Sequence, residues 1–300
     1  MKRLYVIGNG FDLHHEIPSG YKNYRDWLEL NNPDVLNTID NLFGYCNSNW
    51  WKHFEESLAS VETLRIAVEK TAENSTIERD SDWYVAEHEV GRMIDEAYED
   101  IKSSFYEWIN SLPQGEITKM IDIDENDSVF LSFNYTLTLE NLYNISSDKI
   151  FHIHGDVNSE ELVLGHGKKI EDLKKMVEGY NNIYDDSTEA FILERTIDSA
   201  TYSVSKYRKK VEDIINKNSN WFMALGNVSH IYIYGLSFAD VDLPYLKKIL
   251  SVVDKDSVQI EISYLTEEDK VNINDFMESE SIPKSNYNIV ELNQHLLKGV

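Results

Sequence analysis

A glycine turn near the N-terminus has the residue types of a phosphate-binding site. The apolar run at residues 3–7 stops at Gly8-Asn9-Gly10, and Asp12 lies in the predicted helix that follows. Glycine lets backbone N–H groups approach a ligand closely, so a strand, a Gly-x-Gly turn and a helix N-terminus favour phosphate binding. Leu13 replaces the third glycine of the dinucleotide pattern, which leaves a tight turn without a ligand as the alternative.

A carboxamide follows the second apolar run. Asn134 comes directly after Val129–Phe133, where we predict the carboxyl end of a strand. Ligands of open α/β sheets bind beyond these strand ends, so Asn134 is placed to orient a ribose hydroxyl or a water molecule. Alternatively, Asn134 caps the helix that we predict to begin at Leu137.

Three histidines are candidates for a general base. His152 and His154 alternate along a third apolar run, and His166 lies between two glycines. Alternation places His152 and His154 on one face of the strand, which fits one structural and one functional imidazole. Histidine is the natural general base near neutral pH. With Asp156, the three imidazoles also suggest an alternative, a metal-dependent nuclease.

A second glycine turn follows the run His230–Tyr234. It reads Gly235-Leu236-Ser237, and Ser237 with its neighbouring amides is a candidate for phosphate binding. We interpret Asp240 or Asp242 as a cap for the helix predicted at Leu243–Leu250.

Trp51, Phe54 and Glu55 have helical spacing. Aromatic and acidic residues in this pattern are typical of a helix with a core face and a solvated face. A polar pocket residue at Glu55 is the alternative.

Short apolar runs predict the strands that must position these residues. Their continuous apolar character suits strands buried on both faces, and the helical patterns between them suit crossover connections. We therefore predict an α/β fold with a doubly wound, Rossmann-like parallel sheet. The predicted strands are residues 3–7, Val129–Phe133, Ile150–Ile153, His230–Tyr234, Val258–Tyr264 and Asn288–Val290.

Two helix-rich stretches interrupt this pattern, at residues 45–125 and 168–225. In the first, apolar residues repeat at three-and-four spacing from Val90 onwards. Residues 51–110 carry 15 acidic and 6 basic residues, so much of the negative charge lies there. We predict one domain over residues 1–300, with both stretches as helical insertions.

Composition restricts the class of protein. The 300 residues include 53 acidic and 28 basic ones, and the net charge of −25 repels nucleic acids and anionic lipids at long range. The single cysteine excludes an internal disulfide and a four-cysteine zinc site. Neither a run of 18 apolar residues nor a signal-peptide pattern occurs. We expect a cytoplasmic protein that binds neither membranes nor nucleic acids.

Six motifs occur in a fixed order between residue 1 and about residue 250. They are Ile7-Gly-Asn-Gly-Phe-Asp12, Trp51-Lys-His-Phe-Glu55, Phe133-Asn-Tyr-Thr136, His152-Ile-His-Gly155, Leu164-Gly-His-Gly167 and Tyr234-Gly-Leu-Ser-Phe238. Together they resemble the AbiH family of bacterial abortive-infection proteins. The resemblance implies a role in antiphage defence.

Four of the motif positions are also similar, more distantly, to sirtuin-like domains. That resemblance implies NAD as substrate or ligand and a sirtuin-like fold. The implied catalytic residues are Asn134 and His154, and the implied nucleotide-binding residues are Gly8, Asn9, Gly10, Asp12, Gly235, Ser237 and His166. Asn9 and Asp12 stand where sirtuins have alanine and serine, and the zinc ribbon is missing, so deacylation is not implied.

The two resemblances together imply an antiphage effector that hydrolyses the nicotinamide–ribose bond of NAD or a related nucleotide without a metal. Because the leaving group is a cationic pyridinium, the site must mainly stabilise an oxocarbenium-like centre and supply water. We expect a phage-derived trigger or regulatory partner of unknown identity, and a homo-oligomer formed through the acidic helical stretch. The alternatives are a nucleotide-sensing module that acts with a partner and has no turnover, and the metal-dependent nuclease.

Overall fold

The computed structural model describes residues 2–74, 76, 79–177 and 188–295. Its strands are β1 (Arg3–Ile7), β2 (Ser128–Ser132), β3 (Ile150–His152), β4 (His230–Tyr234), β5 (Gln259–Ser263) and β6 (Tyr287–Val290). Its α-helices are α1 (Asn9–His14), α2 (Tyr21–Asn31), α3 (Pro33–Phe43), α4 (Ser48–Lys52), α5 (Phe54–Ser57), α6 (Thr63–Glu73), α7 (Val85–Ser111), α8 (Thr138–Tyr143), α9 (Ile170–Met176), α10 (Thr188–Lys206), α11 (Val211–Lys217), α12 (Ser219–Met223), α13 (Leu243–Val252) and α14 (Glu267–Ser279).

The six strands form one sheet in the order β3-β2-β1-β4-β5-β6, and every neighbouring pair is parallel. The first strand is therefore central, and the chain adds strands first on one side of it and then on the other. This is the strand order of doubly wound nucleotide-binding folds, with the switch point between β1 and β4. The predicted α/β, Rossmann-like fold class is confirmed.

Burial on both faces of the sheet explains the continuous apolar runs. Along β1, Leu4 and Val6 belong to a core that also contains residues of α11 to α14. Tyr5 and Ile7 point the other way, into a second core with Phe11. Because successive side chains of a strand alternate between faces, a strand between two cores must be apolar at every position.

Neither Asn134 nor Asp242 makes a side-chain capping hydrogen bond. Helix α8 begins one residue after Leu137, which is its N-cap residue, so Asn134 does not cap it. Helix α13 begins at Leu243 as predicted, but the Asp242 side chain at its N-cap position makes no capping hydrogen bond. Pro244, in the first turn of α13, has the fixed φ angle that suits a helix start.

The chain forms two compact units. Unit 1 contains Met1–Gly20, Trp108–Val163 and Lys210–Val300, and it holds the whole sheet. Unit 2 contains Tyr21–Glu107 and Leu164–Lys209 and is helical. The insertions at residues 45–125 and 168–225 stay predictions, because compact units are defined by packing and do not show which segments were inserted.

Aromatic side chains form much of the core of unit 2. Tyr24, Trp51, Phe54 and Phe105 are all buried and lie in ring contact with one another. The interpretation of Trp51 and Phe54 as core residues is therefore confirmed.

Candidate active site

Unit 1 brings the predicted residues of four strands to one edge of its sheet. Gly8, Asn134, His154 and Gly235 each follow the carboxyl end of a strand within two residues. Since parallel strands run in one direction, all four strand ends meet at the same edge. This edge is the candidate active site.

The two glycine turns pack directly against each other at the switch point. A Cβ atom on Gly8 would lie 2.7 Å from the Gly235 carbonyl oxygen, and one on Gly10 would lie 2.8 Å from the Gly235 Cα atom. Gly235 itself has a φ angle of +71°, which favours glycine. The Gly10 N–H donates to the Gly235 carbonyl oxygen at 2.7 Å. The glycines therefore allow two backbone segments to approach each other closely.

Asn9 and Ser237, two further predicted nucleotide contacts, have different surroundings. The Asn9 carboxamide donates to the Ser19 carbonyl oxygen at 3.1 Å and accepts from the Ser19 hydroxyl at 2.6 Å. It thereby fixes the loop that follows α1. Ser237 is exposed, and a different serine, Ser263, accepts the Gly235 N–H at 2.8 Å.

A buried carboxylate lies at the centre of the site. Asp12 is only 1% exposed. Its two oxygens accept hydrogen bonds from the Thr136 hydroxyl at 2.5 Å and from the Thr138 hydroxyl at 2.7 Å. Burial raises the pKa of Asp12 to about 6, although these hydroxyls favour its charged form. Asp12 therefore exchanges a proton close to physiological pH.

The Asn134 carboxamide is buried beside Asp12. Its Oδ1 and Nδ2 atoms have no hydrogen-bond partner of ordinary geometry among the described residues. A hydrogen bond from the carboxamide to the Asp12 side chain, although of poor geometry, lowers the pKa of that carboxyl. Leaving a buried polar atom unsatisfied costs about 1–3 kcal/mol, so such groups are unusual outside functional sites.

His152 pairs with Glu140 at the same edge. Its Nδ1 lies 3.1 Å from the Asn134 carbonyl oxygen, and its Nε2 lies 3.0 Å from Glu140 Oε1. Both partners are acceptors, so the arrangement is satisfied when both ring nitrogens carry a proton. Burial lowers the pKa of His152, but the Glu140 carboxylate outweighs it and the pKa is raised. The His152 ring therefore holds the backbone of Asn134.

His154, the predicted base, is surrounded by aromatic rings. It is 3% exposed, and its ring centroid lies 5.4 Å from that of Phe133, 6.1 Å from that of Tyr135 and 5.9 Å from that of Tyr245. Its catalytic role stays a prediction.

A cleft in unit 1 adjoins the Asp12 carboxylate, and we call it the Thr136 cleft. It encloses about 220 Å³. Its lining comes from the segments 109–115 and 136–142, with Ile17 and Val157. Thr136 and Thr138 lie in this lining and also donate to Asp12, so they form the wall between the cleft and the buried acid.

Sequence comparison places these residues in a family. The family described as "Bacteriophage abortive infection AbiH" matches residues 4–264. The chain belongs to the AbiH family. Membership ties it to bacteriophage abortive infection, as the motifs indicate. The distant sirtuin-like resemblance stays a prediction.

No curated protein and no solved structure gives a significant match to this AbiH chain. Among its described residues, no helix is both long enough and apolar enough to span a membrane. The same residues contain no group of three or more His, Cys, Asp or Glu side chains arranged to hold a metal ion.

The last predicted site residue, His166, belongs to unit 2 of the AbiH chain. Its Nε2–H donates to the Val204 carbonyl oxygen at 3.0 Å, and its Nδ1 accepts the Lys168 N–H at 3.2 Å. Burial lowers the pKa of His166. This imidazole is therefore neutral and fixes the backbone of unit 2.

Unit 2 also contains a buried ion pair. The Lys209 ammonium is 1% exposed and pairs with the Glu55 carboxylate, which accepts a further hydrogen bond from the Tyr21 hydroxyl at 2.6 Å. Glu55 is therefore not on a solvated face, contrary to the first interpretation of its motif.

Thr136, Thr138 and Glu140 also belong to the site, although no motif indicated a role for them. They follow Asn134 at every second position, and all three make polar contacts in the site. This spacing of polar side chains after a buried strand was the available signal.

Proposed function

We propose that this AbiH chain acts in abortive infection as an NAD glycohydrolase, which cleaves the nicotinamide–ribose bond of NAD or a related nucleotide. The proposal places the reaction at the carboxyl edge of the sheet in unit 1. It rests on the strand order, on the switch point between β1 and β4, and on the cluster of Asp12 and Asn134 beyond it.

The buried carboxamide of Asn134, which lies beside Asp12, carries the proposal. A buried amide whose contacts have poor geometry gains better hydrogen bonds when a ligand supplies a donor and an acceptor. A ribose hydroxyl or a water molecule supplies both. The His152 ring holds the Asn134 backbone from one side, so the amide is positioned before a ligand arrives.

The chemistry needs a negative charge and a proton acceptor close to the reacting carbon. In the proposed reaction, the bond between the ribose C1′ and the pyridinium nitrogen breaks, and nicotinamide leaves with the electron pair. Water forms the new bond to C1′, and Asp12 accepts its proton. A carboxylate with a pKa near 6 is mostly ionised at neutral pH and also stabilises an oxocarbenium-like centre. In this proposal Asp12 is the general base, the role that the motifs predicted for His154.

The test measures nicotinamide release from NAD by the purified full chain, with and without extract from phage-infected cells. We expect release by the wild type and a loss of at least about 100-fold in Asp12→Asn and Asn134→Ala, as is typical when a general base or an orienting group is removed. His154→Ala tests the earlier assignment of the base in the same assay.

Asn216→Ala is the matched control, because Asn216 is an exposed carboxamide on α11 of the same unit. It should release nicotinamide at the wild-type rate. If the wild type releases none under either condition, the hydrolase assignment is wrong. Calorimetric binding of NAD without product would then favour the nucleotide-sensing alternative.

A further inference from the structure

We infer that the Thr136 cleft binds the leaving group of the reaction, a planar uncharged ring that carries a carboxamide. The inference rests on the proposed function for the choice of nicotinamide as this ring. It extends that function by assigning one part of the substrate to one part of the chain.

The size of the cleft limits what it can hold. Its volume of about 220 Å³ is below the ~300–1,000 Å³ of sites that enclose a whole drug-sized ligand. A complete dinucleotide is larger than such a ligand, so the cleft can take only one of its rings.

The lining indicates the chemistry of that ring. Apolar side chains, among them Leu137, Leu142 and Val157, cover part of the wall and suit a flat aromatic surface. Asn141 supplies a carboxamide, which offers a donor and an acceptor side by side. A ring carboxamide has the same two groups in the reverse order, so the two amides can pair.

The position of the cleft agrees with its proposed role. Thr136 and Thr138 separate it from Asp12 and donate to that carboxylate. A ring in the cleft therefore lies one threonine side chain away from the buried acid. None of the described residues that line the cleft is charged, which suits a leaving group that becomes neutral as it departs.

The test titrates the full chain with nicotinamide and, separately, with adenine, by calorimetry or by ligand-observed NMR. We expect nicotinamide to bind the wild type and to bind Asn141→Ala about 3–10-fold more weakly, the effect of one lost hydrogen bond. Asn141 is exposed, so its loss should not unfold the chain, and circular dichroism verifies this. Asn216→Ala should bind like the wild type.

Three results would overturn the inference. They are no nicotinamide binding by the wild type, equal binding by Asn141→Ala, and binding of adenine but not nicotinamide. Binding of nicotinamide without NAD hydrolysis would instead contradict the proposed function and support the cleft assignment. Hydrolysis with an unchanged KM in Asn141→Ala would contradict only the cleft assignment.

Discussion

Each unit of the AbiH chain holds a carboxylate largely away from water, but the two are stabilised differently. In unit 1, Asp12 accepts hydrogen bonds from two neutral hydroxyls, those of Thr136 and Thr138. In unit 2, the Glu55 carboxylate pairs with the buried ammonium of Lys209. Asp12 and Glu55 both lie in motifs that resemble the AbiH family, so the motifs alone do not show which acid is reactive and which is structural.

The difference separates a reactive acid from a structural one. The Lys209 ammonium compensates the charge of Glu55 and fixes the Glu55 side chain in place, as expected of a structural ion pair. Hydroxyls orient the Asp12 carboxylate without neutralising it, and burial keeps its pKa near 6. A group that exchanges a proton near neutral pH is suited to catalysis.

The largest expected effect on the free energy of unfolding comes from breaking the ion pair between Lys209 and Glu55 in unit 2. Lys209→Met leaves the largely shielded Glu55 without its cation and should lower the free energy of unfolding by about 3–5 kcal/mol, measured by urea denaturation. The double variant Lys209→Met/Glu55→Gln should recover most of this loss. A cost below about 1 kcal/mol for the single variant would show that the pair is not an important source of stability.

The pH dependence of stability tests Asp12. Its folded-state pKa of about 6 lies above the ordinary 3.8, so the stabilising contribution of the protonated acid is complete below pH 4 and is lost as the pH rises to about 6. The wild type should therefore lose about 3 kcal/mol of unfolding free energy relative to Asp12→Asn over this interval. Parallel curves for the two proteins would contradict the raised pKa.

Removing one of the two threonine hydroxyls that donate to Asp12 should have a smaller effect on the free energy of unfolding. Thr138→Val deletes a donor to a buried carboxylate and should destabilise the chain by about 1–3 kcal/mol in thermal or chemical denaturation. Thr138→Ser keeps the hydroxyl and should retain most of this stability. Equal losses in the two variants would show that the threonine methyl group, and not its hydrogen bond, is important.

The smallest effect is expected for an exposed ion pair of unit 2. A guanidinium nitrogen of Arg92 lies 2.9 Å from a carboxylate oxygen of Glu96, and the two side chains are 68% and 60% exposed. Arg92→Ala should change the free energy of unfolding by less than about 1 kcal/mol, because water screens the pair. A larger loss would mean that the contrast between buried and exposed pairs does not hold in this chain.

The sheet could be predicted from the sequence because a strand between two cores is apolar at each position. All six predicted runs form strands, and no strand end differs from its prediction by more than one residue. The caps could not be predicted in the same way. Whether Asn134 turns towards the backbone of α8 or towards Asp12 depends on contacts between residues that are distant in the sequence.

The candidate site was only partly predictable for the same reason. Asp12 and Asn134 are 122 positions apart along the chain, and neither motif indicates that burial would place them together. The alternation along the strand predicts the same face for His152 and His154. In the structure, however, His152 pairs with Glu140, whereas His154 lies among aromatic rings. Only tertiary packing distinguishes them.

The most direct test compares nicotinamide release from NAD by three proteins in the presence of extract from phage-infected cells. They are the wild type, Asp12→Asn and Lys209→Met/Glu55→Gln. We predict that the wild type and the unit 2 variant release nicotinamide, whereas release by Asp12→Asn is at least about 100-fold slower. Release at the wild-type rate by Asp12→Asn, or no release by the wild type, would contradict the assignment of the buried acid in unit 1 as the reactive group.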